Sequence, residues 1–522
     1  MKYNRTILII LLVMCVKVSS QKKKMTVLTN DKKEIGTNLK SNTPILSTEY
    51  LFAERISEFQ IDTLSNHIDV QLRGLSKNGK WLNNKGYTLR YDAENQKVLW
   101  SERVNYQLED IEQFEGITLK TKAGKTFCID NDTGKELWEV KNSILFVDRT
   151  KKIALGYRSA SSNKDLEILE GINLRNGNIL WERYITREYG WDDVYRIDES
   201  NLLIVAGGMH TLNINDGTGW DYYTKTGKKD YTSSAVGTGI GIVAGLLTGT
   251  YAASTGHNLV RDVRSNIIED SLNIYFASKE HFAKLDKKGS VKWQIKLPDD
   301  RTSKSQIFKM EEELLIVNKG FAYMGDRKLD IGMPFIGSFD SETGQQKYLI
   351  EVGKKKDDNI NGMNLDGNNL LLLFPNRISK FDIENGQIIK SVPFSEMSFG
   401  RLNNFVGEHV FTEKNSKYIS LPKTDLAKHY VLTNKNKILV LDSKLKPENE
   451  IETREVYLYY LEWKDYNFIA RENSSIIIDG KGHKIADIMV NRNSRLIGNK
   501  LYTVADKSLF IIDLNQILDV KQ

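Results

Sequence analysis

From about Leu51 onward the apolar positions fall in short runs of four to six residues, each closed off by Gly, Asn or Asp. Leu202 to Val205, Leu314 to Val317, Leu370 to Phe374 and Tyr457 to Leu461 are examples. Runs of this length, rich in β-branched and aromatic residues and without a 3.6-residue period, predict strands joined by tight turns. Helical periodicity is scarce, so the chain reads as all-β. Only 7 prolines accompany 37 glycines, which leaves the turns to Gly, Asn and Asp.

One stretch, Phe127 to Val140 (FCIDNDTGKELWEV), returns in looser form along most of the chain. A β-rich run meets Asp130, Gly134 supplies a turn position where positive φ is easiest, and Leu137 with Trp138 opens the next strand. Tyr91-Asp92 leads in the same way to Trp100, Asn173 to Trp181, Asn213 to Trp220, Asp286 to Trp293 and Asp340 to Tyr348. Barer copies end at Asp382, Asp442, Asp479 and Asp513. The tryptophans at 100, 138, 181 and 220 are 38, 43 and 39 residues apart, the length of a four-stranded propeller blade. Their aromatic rings are expected to be structural, plugging the space between blades.

This pattern resembles the PQQ-like, quinoprotein-type β-propeller repeat, over roughly residues 85 to 515. In length and repeat style the chain is similar to the BamB type of envelope propeller, which implies a non-catalytic role in assembling outer-membrane proteins. The expected fold is a single β-propeller of four-stranded blades. Ten landmarks, at 92, 130, 173, 213, 286, 340, 382, 442, 479 and 513, exceed the roughly four to eight blades of most propellers. Some are therefore read as ordinary strands, and eight blades are expected, with seven as the alternative. Closure should bring a strand from near residues 50 to 90 beside the C-terminal strand around Leu509 to Asp513, because an open ring exposes an edge.

The front of the chain reads differently. Lys2 and Arg5, the apolar run Ile7 to Val16 and the small residues Val18-Ser19-Ser20 form an export signal over 1–20, with cleavage before Gln21. Lipid on Cys15 is disfavoured because Met14 stands where a small residue is needed. Residues 21–44 read as a basic polar linker and 45–522 as the propeller. Three positive charges in 1–20 and a net four in 21–44 leave the remainder at about −1. A near-neutral folded part argues against nucleic-acid binding. The expected location is the periplasm or outer envelope, and the expected state a monomer.

Candidate chemistry is sparse. The seven histidines show no metal-ligand spacing, and Cys128 alone remains after the signal, so neither a disulfide nor a cysteine metal site can form. Asp357 to Gly362 opens like a calcium loop but has Asn368 where Glu is required. Asp192-Asp193 is a carboxylate pair whose side chains should point apart in extended chain. A quinone-dependent dehydrogenase of the resembling family would carry adjacent cysteines, which this chain lacks. No catalytic residue, cofactor or metal is expected.

Tyr231 to Val260 contains no Asp, Glu, Lys or Arg, and Gly237, Gly241, Gly245 and Gly249 recur every fourth residue. On a helix they would line one face in the small-xxx-small manner. This segment is expected to be an insertion between blades that contacts the propeller face, a partner or a membrane. The functional expectation is an envelope scaffold that binds other proteins. The alternative is a propeller that takes a glycan or small ligand at its axial mouth.

Overall fold

The computed structural model describes residues 25–518, apart from 230–258 and short segments at 64, 115, 160–164, 325–326, 355–357, 406–409, 415–416, 421–427, 436, 453–456, 471–473, 481–482 and 492. The export signal and the glycines at 237, 241, 245 and 249 lie outside the described residues.

Nearly every described segment is antiparallel strand, as the short apolar runs require. Eight four-stranded sheets stand apart, and an eleven-stranded sheet contains two further four-stranded units. Among the described residues this makes ten blades, where the sequence reading settles on eight. In chain order they span 56–105, 109–140, 142–184, 193–223, 268–296, 305–351, 362–393, 402–452, 457–488 and, for blade 10, 495–513 together with the N-terminal strand β2 (Thr43–Leu51). All ten landmark residues end, or directly follow, the third strand of a blade. None is an ordinary strand end.

The second and third strands of each blade are buried on both faces, which explains runs such as Leu202 to Val205 with no polar alternation. Successive side chains of one strand serve two interfaces. Leu202 and Ile204 pack toward blade 3, whereas Leu203 and Val205 pack toward blade 5. The fourth strands lie outermost and expose residues such as Leu137 and Ile388.

Ring closure follows from pairing and packing. Blade 10 takes β2 as its fourth strand, with Ser47 opposite Ile512 and Leu51 opposite Ser508. The closing strand thus overlaps the start of the expected window, with Tyr50 opposite Leu509. Tyr502 and Leu509 of blade 10 then pack against Ile68, Val70 and Tyr91 of blade 1. Between blades 8 and 9 the contact is a ladder, Val410 opposite Leu458 and Phe411 opposite Tyr457.

The expected linker over 21–44 is corrected in its second half. Leu28–Asn38 is a strand, β1, that pairs with β2 and also with the outer strand of blade 9, Gly36 opposite Ile488. It spans the rim of two blades, so most of its side chains face solvent and leave no apolar period to read. Ile35 is buried in the core between blades 9 and 10, and Asn38 donates to the Gln516 carbonyl at 3.2 Å. A side chain on Gly36 would strike the Asp487 carbonyl, which makes glycine necessary there.

Candidate functional site

The repeat aromatics form a relay between blades. The indole N–H of Trp100 donates to the Asn131 carbonyl at 2.7 Å, that of Trp138 to Leu174 at 3.1 Å and that of Trp181 to Ile214 at 2.9 Å. Trp220 donates to Lys287 at 3.0 Å, Trp293 to Ser341 at 3.1 Å and the Tyr348 hydroxyl to Ile383 at 2.6 Å. Each acceptor is the residue directly after the landmark Asp or Asn of the next blade. Each ring also lies on the turn glycine of that blade. A Cβ on Gly134 would sit 2.8 Å from Trp100, and one on Gly177 2.8 Å from Trp138, with φ at +69° and +75°. These aromatics are committed to holding blades 1 to 7 together.

The two faces of the ring differ. Third-to-fourth strand turns, and all but one of the first-to-second turns, are short, the exception being 406–427 in blade 8. The opposite face holds the second-to-third turns and the connections between blades, and there the chain is elaborated at 73–84, 224–267, 319–334, 352–361 and 394–401. It also exposes Trp81, Leu108 and Met397, at 72%, 67% and 90%.

The 224–267 elaboration is fixed at its root. Lys228–Lys229 pairs with Leu259–Val260, so the chain leaves and returns at one point between blades 4 and 5. Arg261 N donates to the Tyr323 carbonyl at 2.7 Å, and Val263 N to Thr226 at 3.0 Å. Arg264 then reaches back to blade 4. Its Nη2 donates to Asp193 Oδ2 at 2.6 Å while its Nε stands 3.7 Å from Asp192 Oδ2. The sequence expectation that these two aspartates diverge is corrected: Asp192 precedes the strand, and one guanidinium addresses both. Asp192 is almost wholly buried, and burial pushes its carboxyl up to about 7 although Arg264 opposes the shift. Lys304 adds an ion pair to Asp262.

Beside this root lies a polar cleft of about 390 Å³, where blades 6, 7 and 8 meet on the elaborated face. One wall is the hairpin Phe321–Met324 and Arg327–Asp330, which contributes Lys328 and Asp330. The other is the short helix α1 (Glu396–Phe399) with Arg401 and Asn403. Asn359, Asn361, Pro375 and Asn376 lie between them. Within the cleft Asn359 donates to Asp330, Arg401 Nε to Glu396 at 3.0 Å and Lys328 to the Asn361 side chain at 3.3 Å. Among the described residues, the side chains of Asn376 and Asn403 have no hydrogen-bond partner. The cleft has no aromatic lining, and its residues, drawn from three of the ten blades, leave no motif in the sequence.

Other titratable groups are accounted for locally. Cys128 is buried and its thiol is pushed up to about 11. His210 is buried between Asp221 at 2.7 Å and the Ala206 carbonyl at 3.0 Å. Asp358, in the stretch that opens like a calcium loop, accepts from Lys354 N at 2.9 Å and pairs with Arg377. On the innermost strands of blades 1 and 2, burial raises Glu58 and Asp110 and, with their like charges, pushes Glu112 up to about 9. Among the described residues, no three His, Cys, Asp or Glu side chains are grouped to hold a metal ion, and no helix is long and apolar enough to cross a membrane.

No protein-family model and no curated protein matches the sequence. Among solved structures the chain is similar to BamB from Moraxella catarrhalis, at 12% identity and a TM-score of 0.31, over 77% of this chain and 96% of that one. The computationally designed Ika8 protein is similar at 10% identity and a TM-score of 0.31, over 72% and 97%. Apo AztD from Citrobacter koseri is similar at 12% identity and a TM-score of 0.29, over 71% and 93%.

Proposed function

We propose that this chain is a non-catalytic propeller scaffold of the cell envelope that binds other proteins through its elaborated face. The observation that carries the reading is the asymmetry of the ring. Long connections, the root of the 224–267 insertion and the exposed Trp81, Leu108 and Met397 gather on one face. Aromatic and methionine side chains left in solvent are the residue types enriched at protein interfaces. The sequence supports the envelope location through its export signal, and the resemblance to envelope propellers agrees with it. The repeat aromatics, buried Cys128 and bonded His210 are occupied with structure, which supports a non-enzymatic role.

Crosslinking in intact cells from a photoreactive residue at position 81 or 397, followed by envelope solubilisation and mass spectrometry, tests this. Discrete crosslinked partners are expected from both positions and not from position 388 on the outer rim. Equal crosslinking from the rim, or none from the face, would refute the assignment.

A further inference from the structure

We infer that the cleft between blades 6, 7 and 8 is a binding site for a neutral, hydroxyl-rich ligand, a saccharide unit. Its volume of about 390 Å³ falls in the roughly 300–1,000 Å³ range of small-molecule sites. Every lining residue but Pro375 has a polar side chain, and the lining carries two cations, Lys328 and Arg401, against two anions, Asp330 and Glu396. Arg401 and Glu396 pair with each other, while Asp330 and Lys328 each bond an asparagine amide, so the cleft carries balanced charge and offers no net field to a charged ligand.

What the cleft still offers is hydrogen-bonding capacity of both signs. Asn376 and Asn403 are uncommitted among the described residues, and an amide presents two N–H donors beside a carbonyl acceptor. The Arg401 terminal nitrogens and the second carboxylate oxygens of Asp330 and Glu396 add donors and acceptors. A hydroxyl both donates and accepts, so a row of hydroxyls on a rigid ring matches this mixed, charge-balanced lining. With no aromatic platform in the cleft, hydrogen bonds carry the recognition, and the ligand sits at the junction of three blades.

The test uses the full chain with a panel of neutral mono- and disaccharides, and with inorganic phosphate and glycine as charged controls, read by calorimetry and saturation-transfer NMR. At least one saccharide is expected to bind. Asn376→Ala and Asn403→Ala are each expected to weaken that binding about tenfold, and Leu137→Ala, on the outer strand of blade 2, to leave it unchanged. Because any variant can disturb folding, the unaltered protein supplies a second readout. Saccharide-dependent hydrogen-exchange protection is expected at 375–376 and 401–403. The inference is overturned if no neutral saccharide binds at millimolar concentration, if phosphate or glycine binds in its place, or if protection falls elsewhere on the ring.

Discussion

At the scale of single residues, the same physical device is used six times. Indole suits it because one flat ring can cover a turn glycine while its N–H satisfies the carbonyl one residue beyond the landmark. Tyr348 shows that a phenol can substitute where the hydroxyl reaches, at 2.6 Å from the Ile383 carbonyl. Trp181 is 8% exposed, so Trp181→Ala is expected to cost about 3–5 kcal/mol. Trp181→Phe keeps most of the packing and gives up one hydrogen bond, an expected loss nearer 1 kcal/mol plus the orphaned Ile214 carbonyl. Urea midpoints distinguish these, and an unchanged midpoint for Trp181→Ala would refute the relay. Trp138 is only half-buried, and its truncation should cost less. The spacing of seven or eight residues from landmark to ring makes these aromatics legible in sequence. The cleft is not, since Asn376 and Asn403 look like any turn asparagines until three blades converge.

At the scale of elements, strand β1 and the insertion root show why some features escape a periodicity reading. A strand with one edge on blade 10, the other on blade 9 and its faces near solvent has no apolar alternation to display, and only Ile35 betrays it. Truncation through residue 40 removes that bridge but keeps β2, so a closed though less stable ring is expected. Truncation through residue 52 removes β2 and leaves blade 10 with an open edge, for which aggregation is expected on size-exclusion chromatography. The root depends on a contact 71 residues apart, Arg264 to Asp193, which no local pattern encodes. It also predicts a pH dependence. Asp192 faces Arg264, Arg261, Asp262 and Asp193, and its folded-state value of about 7 lies above the ordinary carboxylate range. Between about pH 4 and 7 the folded chain therefore holds a proton that the unfolded chain has lost, and this group's contribution to stability falls as pH rises through that window. The full effect is up to about 4 kcal/mol. Asp192→Asn should flatten that part of the melting-temperature profile, and an unaltered slope would assign it to other groups.

At the scale of the molecule, ten blades follow from ten copies of one turn, two more than the usual size of such rings leads one to expect. Every landmark ends a third strand because the Asp or Asn side chain accepts from backbone N–H groups of the turn that follows, as Asp130 does from Thr133 and Asp340 from Thr343, each at 2.7 Å. A ring built this way tolerates additions wherever the chain can leave and return without disturbing a ladder. The 224–267 insertion satisfies that condition, since Lys228–Lys229 and Leu259–Val260 bring its ends side by side. The Arg264 contacts and the Arg261 bridge to Tyr323 lie on the ring side of that ladder. Replacing 234–256 by a short linker leaves that ladder and those contacts in place. The expected result is a soluble protein with an unchanged melting temperature and weakened capture of envelope partners. Two measurements separate the alternatives. A large drop in melting temperature would make the segment part of the core, whereas unchanged stability with unchanged capture from positions 81 and 397 would place recognition on the remaining face alone.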